Sequence, residues 1–123
     1  MAGPQIIRPG HVETLRCPDP RAGWRGCDPA NISLGRWDDG FWSMAVSAQV
    51  SGIGRGRPMS GWSDGRQMTR YANRTEALDA AVAELVELAR SWAHIATGGE
   101  LSRIADWAAS QRTQQGDLFG MAA

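Results

Sequence analysis

The clearest pattern along the chain is an alternation of apolar and polar residues between positions 41 and 51. Every second residue from Trp42 to Val50 is apolar, and most residues between them are serine or glutamine. Alternation with a period of two is typical of a strand with one buried face. The preceding segment WDDG (37–40) contains the Asp-Gly pair of a tight turn, so we expect residues 31–36 to form the antiparallel partner strand of a hairpin.

Two amphipathic helices are predicted in the second half of the chain. Apolar residues recur every three or four positions between Leu78 and Ala96, which is the spacing of one helix face. Asn73 and Glu76 have the spacing of a capping box, and the glycines at 98 and 99 are expected to end this helix. A second apolar stripe, between Leu101 and Ala108, predicts another helix after it.

Glycine and proline mark two segments as irregular. Five of the six prolines lie in residues 1–30, and proline both removes a backbone donor and disfavours helix in the residue before it. The segment GIGRGRPMSG (52–61) holds four glycines and a proline, so we predict that it lacks regular structure. The following RQMTRYA is a candidate third strand through Met68, Thr69 and Tyr71.

These elements predict an α+β fold, in which a small antiparallel sheet of two to three strands packs against two C-terminal helices. A chain of 123 residues is long enough for one modest domain. We therefore expect a loop-rich N-terminal arm (1–30), an α+β domain (31–113) and a C-terminal tail (114–123).

Charge is balanced overall but unevenly distributed. The formal net charge is zero and all thirteen basic residues are arginine. Residues 52–74 carry five arginines against one aspartate, whereas residues 75–106 carry six acids against two arginines. The positive stretch is a candidate contact for nucleic-acid phosphates or for carboxylates of a protein partner, and the alternative is that the two regions pair within the fold. The candidate contact residues are Arg55, Arg57, Trp62, Arg66 and Arg70.

The tryptophans divide by their positions in these patterns. Trp42, Trp92 and Trp107 fall on periodic apolar faces and are predicted to lie in the core. Trp24, Trp37 and Trp62 lie outside those faces and are candidates for exposure. An exposed aromatic beside arginines suits base stacking or a protein contact, which favours Trp62 as a binding residue.

Catalytic and metal-binding motifs are weakly represented. GWSDG (61–65) matches the letters of a nucleophile elbow around Ser63, but the predicted strand after it does not fit the helix that an elbow requires, and His94 falls on the polar side of the first helix. Cys17 and Cys27 are expected to be free thiols in a reducing compartment. With His11 they match no standard zinc spacing. We therefore predict a protein that is not an enzyme and that has no cofactor and no bound metal.

Residues 115–119 resemble a known docking motif. Gln115, Gly116, Asp117, Leu118 and Phe119 are similar to the short peptide by which bacterial replication and repair proteins bind the DNA polymerase sliding clamp, although Gly116 stands where that peptide often has leucine. The resemblance implies that Gln115 would enter a small polar pocket, that Leu118 and Phe119 would fill a hydrophobic one, and that Asp117 would lie at the rim. The alternative is an intramolecular latch, in which Phe119 packs on the two helices of its own chain.

The function hypothesis follows from these surfaces. We expect a non-enzymatic accessory protein, of the kind that phages or plasmids encode, which binds nucleic acid or a nucleic-acid-handling protein and docks on the clamp. The alternative is an anti-CRISPR-like inhibitor that binds a host defence complex through protein contacts. No apolar run approaches the roughly 18 residues of a membrane span and no leader is evident, so we expect a cytoplasmic protein without membrane contact.

Overall fold

The computed structural model describes residues 6–20, 23, 26–50, 53–57, 61–62, 69–94 and 99–118. Side chains are not described for Ile6, Ile53, Arg57, Trp62 and residues 113–118. In chain order the elements are β1 (Ile6–Ile7), β2 (His11–Arg16), β3 (Ala30–Arg36), β4 (Trp42–Val50), β5 (Ile53–Arg57), β6 (Gly61–Trp62), α1 (Arg74–Ser91) and α2 (Glu100–Leu118).

The predicted α+β fold is confirmed. Strands β2, β3, β4 and β5 form one antiparallel sheet in that spatial order, and the two C-terminal helices pack against it. Strands β1 and β6 form a separate antiparallel pair. The main sheet therefore has four strands where two to three were predicted, and the additional ones are its two edges.

The central hairpin is confirmed as predicted. β3 pairs with β4 from Ala30 opposite Ala48 to Arg36 opposite Trp42. In the connecting turn, the Trp37 N–H donates to the Phe41 carbonyl at 2.8 Å. Gly40 has a φ of +90°, a conformation that glycine adopts without steric cost and that explains the Asp-Gly pair in this turn.

The core lies between one face of the sheet and both helices. Alternate residues of β3 and β4 are buried, and their neighbours on the opposite face are small and polar. The largest fully buried side chains come from every layer, so sheet and helices share a single apolar core. They include Ile32, Leu34, Val50, Leu78, Leu85 and Ile104.

The start of α1 is confirmed, and its end is earlier than predicted. Asn73 Oδ1 accepts from the Glu76 N–H at 2.9 Å, and Glu76 in turn accepts from the Ala72 N–H at 3.1 Å. The helix ends at Ser91, and Trp92 caps it with φ near −101°. The prediction that Gly98 and Gly99 end this helix was therefore wrong, because the Trp92 N–H already bonds to the carbonyls of Ala89 and Arg90, which closes the last turn.

The second helix begins where the sequence predicts and extends further. α2 begins at Glu100, and the Arg103 N–H donates to the Gly99 carbonyl at 3.0 Å. Its backbone remains helical to Leu118, so the predicted tail boundary at residue 114 lies inside the helix. Phe119 and residues 120–123 lie outside the described residues.

The expected N-terminal arm contributes more structure than predicted. β2 pairs with β3 along its full length, from His11 opposite Arg36 to Arg16 opposite Asn31. Cys17, directly after it, is 1% exposed and belongs to the core. Prolines flank this strand without interrupting it. None of the six residues of β2 is fully buried, and the core residues described in 1–30 are Cys17 and Ala30, so the arm adds a strand to the sheet and little to the core, as expected.

Two other predictions about the sheet require correction. Residues 53–57 were predicted to be irregular, but they form the edge strand β5. Thr69 and Arg70 are not in a strand, and Tyr71 forms only an isolated bridge with Trp42. Met68 lies outside the described residues. The fourth strand of the main sheet is therefore the glycine-rich segment, which pairs with β4 from Ile53 opposite Val50 to Arg57 opposite Val46.

Candidate functional site

The arginines of residues 55 and 57 lie on an edge strand and not on a loop tip. In the register of β5, Arg55 is opposite Ala48 and Arg57 is opposite Val46. Ala48 and Val46 are buried under the helices, and opposed residues of a sheet share a face. Both arginine positions therefore lie on the helix side of the sheet.

Arg55 lies close to the end of α1. The central carbon of its guanidinium is 5.7 Å from the centroid of the Trp92 ring, which is within the range of a cation–π contact. Trp92 itself is buried at 3% exposure, as predicted for a core tryptophan. Arg55 remains exposed, so its charge is available to a partner at this edge.

A groove of about 650 Å³ separates β5 from α1. Its sheet side is formed by Val46, Arg55 and Gly56, and its helix side by residues 80–88 of α1. The helix residues that line it are spaced three or four positions apart: Ala80, Ala83, Glu84, Glu87 and Leu88. That spacing was visible in the sequence as a second stripe on α1, but two acidic residues within it made it resemble an ordinary solvated face.

The groove has an apolar lining and charges of both signs. Val46, Ala80 and Leu88 supply apolar surface. Arg55 supplies positive charge from β5, and Glu84 and Glu87 supply negative charge from α1. Such a surface suits a protein or an amphipathic ligand better than a run of phosphates, because the acidic side would repel phosphates.

Arg70 occupies a different part of the molecule. It forms an ion pair with Asp39 of the β3–β4 turn, and its guanidinium carbon is 4.6 Å from the centroid of the Phe41 ring. This turn adjoins Trp42, at the opposite end of β4 from Ala48, which faces Arg55. Six residues of extended strand separate the two ends, or about 20 Å.

The predicted arginine surface is therefore not assembled as one site by the described residues. Arg55 and Arg57 share one edge strand, and Arg70 lies near the far end of the sheet. Trp62 is in β6, opposite Ile6, and its side chain is not described. Arg66 lies outside the described residues, as do Ser63 and Trp24.

The remaining tryptophans pack against the core or beside it. Trp42 and Trp107 are half-buried and pack against the core, as predicted. Trp37 is half-buried because its indole N–H donates to Ser43 Oγ in β4. Near it, a smaller pocket of about 370 Å³ is lined by Gly10, His11, Arg36, Trp37, Asp38 and Gly40.

The two cysteines have different environments and form no disulfide. Cys17 is buried, and desolvation raises the pKa of its thiol above the ordinary value, which makes it a poor nucleophile. Cys27 is exposed. Within the described part of the chain, no group of three or more His, Cys, Asp or Glu side chains is placed to hold a metal ion.

The clamp-like peptide lies at the end of α2. The last buried side chain described in this helix is Gln111, and Arg112 after it is exposed. Gln115 and Leu118 follow in the helical backbone and, three residues apart, fall on one side of it. Asp117 falls on a different side of the helix from Gln115. Phe119, the last residue of the match, lies outside the described residues.

Comparisons with known proteins add no relative. No protein-family model, curated protein or solved structure matches this chain. In the described residues, neither helix is long and apolar enough to cross a membrane.

Proposed function

We propose that this protein is a non-enzymatic accessory protein that binds another protein, and that residues 115–119 are its docking peptide for the bacterial sliding clamp. The observation that carries the proposal is the similarity of Gln115, Asp117, Leu118 and Phe119 to that peptide. The first four residues of the match, 115–118, form the C-terminal end of α2.

The arrangement of charges favours a protein partner over nucleic acid. Arg70 is already paired with Asp39, and Arg74 is paired with Glu13 of β2. The groove beside Arg55 is lined by two glutamates. Strong binding to a phosphate backbone requires several unpaired cations on one surface, and Arg70 lies about 20 Å along the sheet from Arg55.

The expected affinity of the peptide is modest. Burying one leucine and one phenylalanine side chain contributes roughly 3 to 6 kcal/mol. Ordering the end of the chain and losing translational freedom offset much of that gain. A dissociation constant weaker than micromolar is therefore expected, because a gross gain of roughly 6 kcal/mol or less does not reach the roughly −8 kcal/mol of a micromolar complex. Weak, reversible binding through a peptide attached to a folded domain suits a protein that is recruited to the clamp or that inhibits the clamp.

Binding of the full chain to purified bacterial sliding clamp tests this proposal directly. We expect weak binding by calorimetry, with a dissociation constant of roughly 100 μM or weaker, and at least tenfold weaker binding for Leu118→Ala combined with Phe119→Ala. Gln114→Ala is the matched control, because it alters the adjacent residue outside the motif and should leave the affinity unchanged. No detectable clamp binding by the wild type, or equal binding by the double variant, would overturn the assignment.

Two further measurements separate the other partner classes. If nucleic acid were the partner, DNA or RNA retardation would weaken steeply with salt and with Arg55→Ala combined with Arg57→Ala; we expect no retardation at physiological salt. A pull-down from bacterial lysate is expected to recover the clamp. Recovery of a stoichiometric defence complex without the clamp would instead support an inhibitor.

A further inference from the structure

The helix layer covers the sheet unevenly. α1 packs on β3 and β4, and α2 packs mainly on α1. Among the described residues, neither helix packs extensively across β5, the edge strand. The helix side of β5 therefore borders the groove of about 650 Å³ described above, which has the size of a ligand or helix-docking site.

The residues of α1 that line this groove have the spacing and side-chain sizes of a helix face that packs against another element. Ala80, Ala83, Glu84, Glu87 and Leu88 line it at spacings of three and four residues. This is the spacing at which one helix contacts another element along about two turns. The small side chains of Ala80 and Ala83 allow a backbone to approach closely, and Leu88 and Val46 supply apolar contact area.

The groove carries a positive charge on one side and a negative charge on the other, so the grooves of two copies can face each other with opposite charges in contact. Arg55 supplies the positive charge on β5, and Glu87 on α1 supplies a negative charge with 66% of its side chain exposed. Glu87 also pairs with Arg90 one turn along α1, in an exposed contact that a second partner can share or replace. In a two-fold interface, a contact of residue i with residue j is matched by a contact of j with i. In a dimer with two-fold symmetry, Arg55 of each copy can therefore contact the acidic side of α1 in the other copy.

We propose that a second copy of this chain occupies the groove, about a two-fold axis that brings Arg55 of each copy to Glu87 of the other. The zero net charge of the chain removes overall repulsion between copies. Pairing of two β5 edges centred on Arg55 would instead place arginine opposite arginine, which is destabilising. The acidic residues of α1 that line the groove, Glu84 and Glu87, are opposite in charge to this edge.

Charge reversal with mixing tests the interface. We expect the wild-type chain to sediment as a dimer at about 100 μM in analytical ultracentrifugation, a concentration suited to a modest interface. Arg55→Glu and Glu87→Arg should each be monomeric there, with dimerisation weakened at least tenfold. An equimolar mixture of the two variants should recover a dimer, because each interface contact then joins opposite charges.

Three controls distinguish a specific loss of dimerisation from misfolding and from a loss of clamp binding. Arg36→Glu makes the same charge change as Arg55→Glu, on an exposed residue outside the groove, and should remain dimeric. Circular dichroism should show that all three variants fold. Clamp binding per chain should persist in the monomeric variants, so this proposal and the docking peptide can fail separately. A monomeric wild type at 100 μM, or a mixture that stays monomeric, would overturn the two-fold contact.

Discussion

Gly56 of β5 lies close to the backbone of the neighbouring strand β4. A Cβ at this position would lie 2.3 Å from the Val46 carbonyl oxygen and 3.0 Å from the Ser47 Cα. Both atoms belong to the backbone of β4, so no side-chain rotation relieves the overlap. We expect Gly56→Ala to lower the free energy of unfolding by about 1 to 3 kcal/mol, as overpacking does, measured by urea denaturation.

Gly54 provides the matched control in the same strand. A Cβ there would meet Gln49 side-chain atoms at 3.5 Å or more, which is ordinary contact. Gly54→Ala should therefore leave stability unchanged or raise it by about 0.4 to 1 kcal/mol, through the lower entropy of the unfolded chain. If both alanine variants lost the same stability, the close approach at Gly56 would not be the cause.

These two glycines also show why sequence reasoning failed at β5. Glycine and proline near one another usually indicate turns, and that rule predicted an irregular segment. An isolated glycine inside a strand can instead mark a close backbone approach. Which of the two applies at Gly56 depends on the carbonyl of Val46, and that contact exists only once β4 and β5 have paired.

At the scale of elements, an ion pair joins β2 to the start of α1. Arg74 donates to Glu13 across a sequence separation of 61 residues. This hydrogen bond, opposed by desolvation, lowers the pKa of Glu13 below its ordinary value of 4.5. Because the pKa is lower in the folded state, the pair stabilises the fold above about pH 4.5 and loses that effect as the pH falls through the folded-state pKa.

Glu13→Gln should reveal this dependence. Both side chains are partly exposed, so we expect a loss of only about 0.5 to 1 kcal/mol at pH 7. The difference in unfolding free energy between wild type and variant should shrink as the pH falls below 4.5. Asp106→Asn is the control, because it removes one exposed carboxylate of α2 that lies outside the groove. A difference that stays constant from pH 7 to pH 3 would contradict the assignment.

Elements with local signals were predictable from the sequence. The turn at 37–40 and the Asn73 cap depend on residues within four positions of each other, and both are confirmed. β2 gave no such signal, because its position depends on pairing with β3 fifteen or more residues away. The end of α1 at Ser91 comes seven residues before Gly98 and Gly99, and no glycine or proline marks it in the sequence.

At the scale of the whole molecule, the candidate surfaces were only partly predictable. Arg55 was identified from its charge, but its place beside residues 80–88 requires the packing of α1 on the sheet. Arg55 and Arg70 belong to one basic stretch of sequence, yet β4 separates them by about 20 Å. Proximity in sequence therefore suggested a single arginine surface that the described residues do not form.

Truncation after Arg112 distinguishes a docking peptide from an intramolecular latch. It keeps Gln111, the last described buried side chain of α2, and the 2.9 Å ion pair between Arg112 and Asp79. If residues 113–123 serve a partner, the shortened chain should lose clamp binding while its free energy of unfolding changes by less than about 1 kcal/mol. Urea denaturation of both chains measures this.

An intramolecular latch predicts a larger loss of unfolding free energy than a docking peptide does. If Phe119 packs on its own helices, removing it should cost about 3 to 5 kcal/mol, as deletion of a buried phenylalanine does. Phe119→Ala in the full chain should then reproduce most of that loss without shortening α2. A large loss in both chains would identify a latch, because a ring that stabilises its own fold cannot at the same time fill the pocket of a clamp.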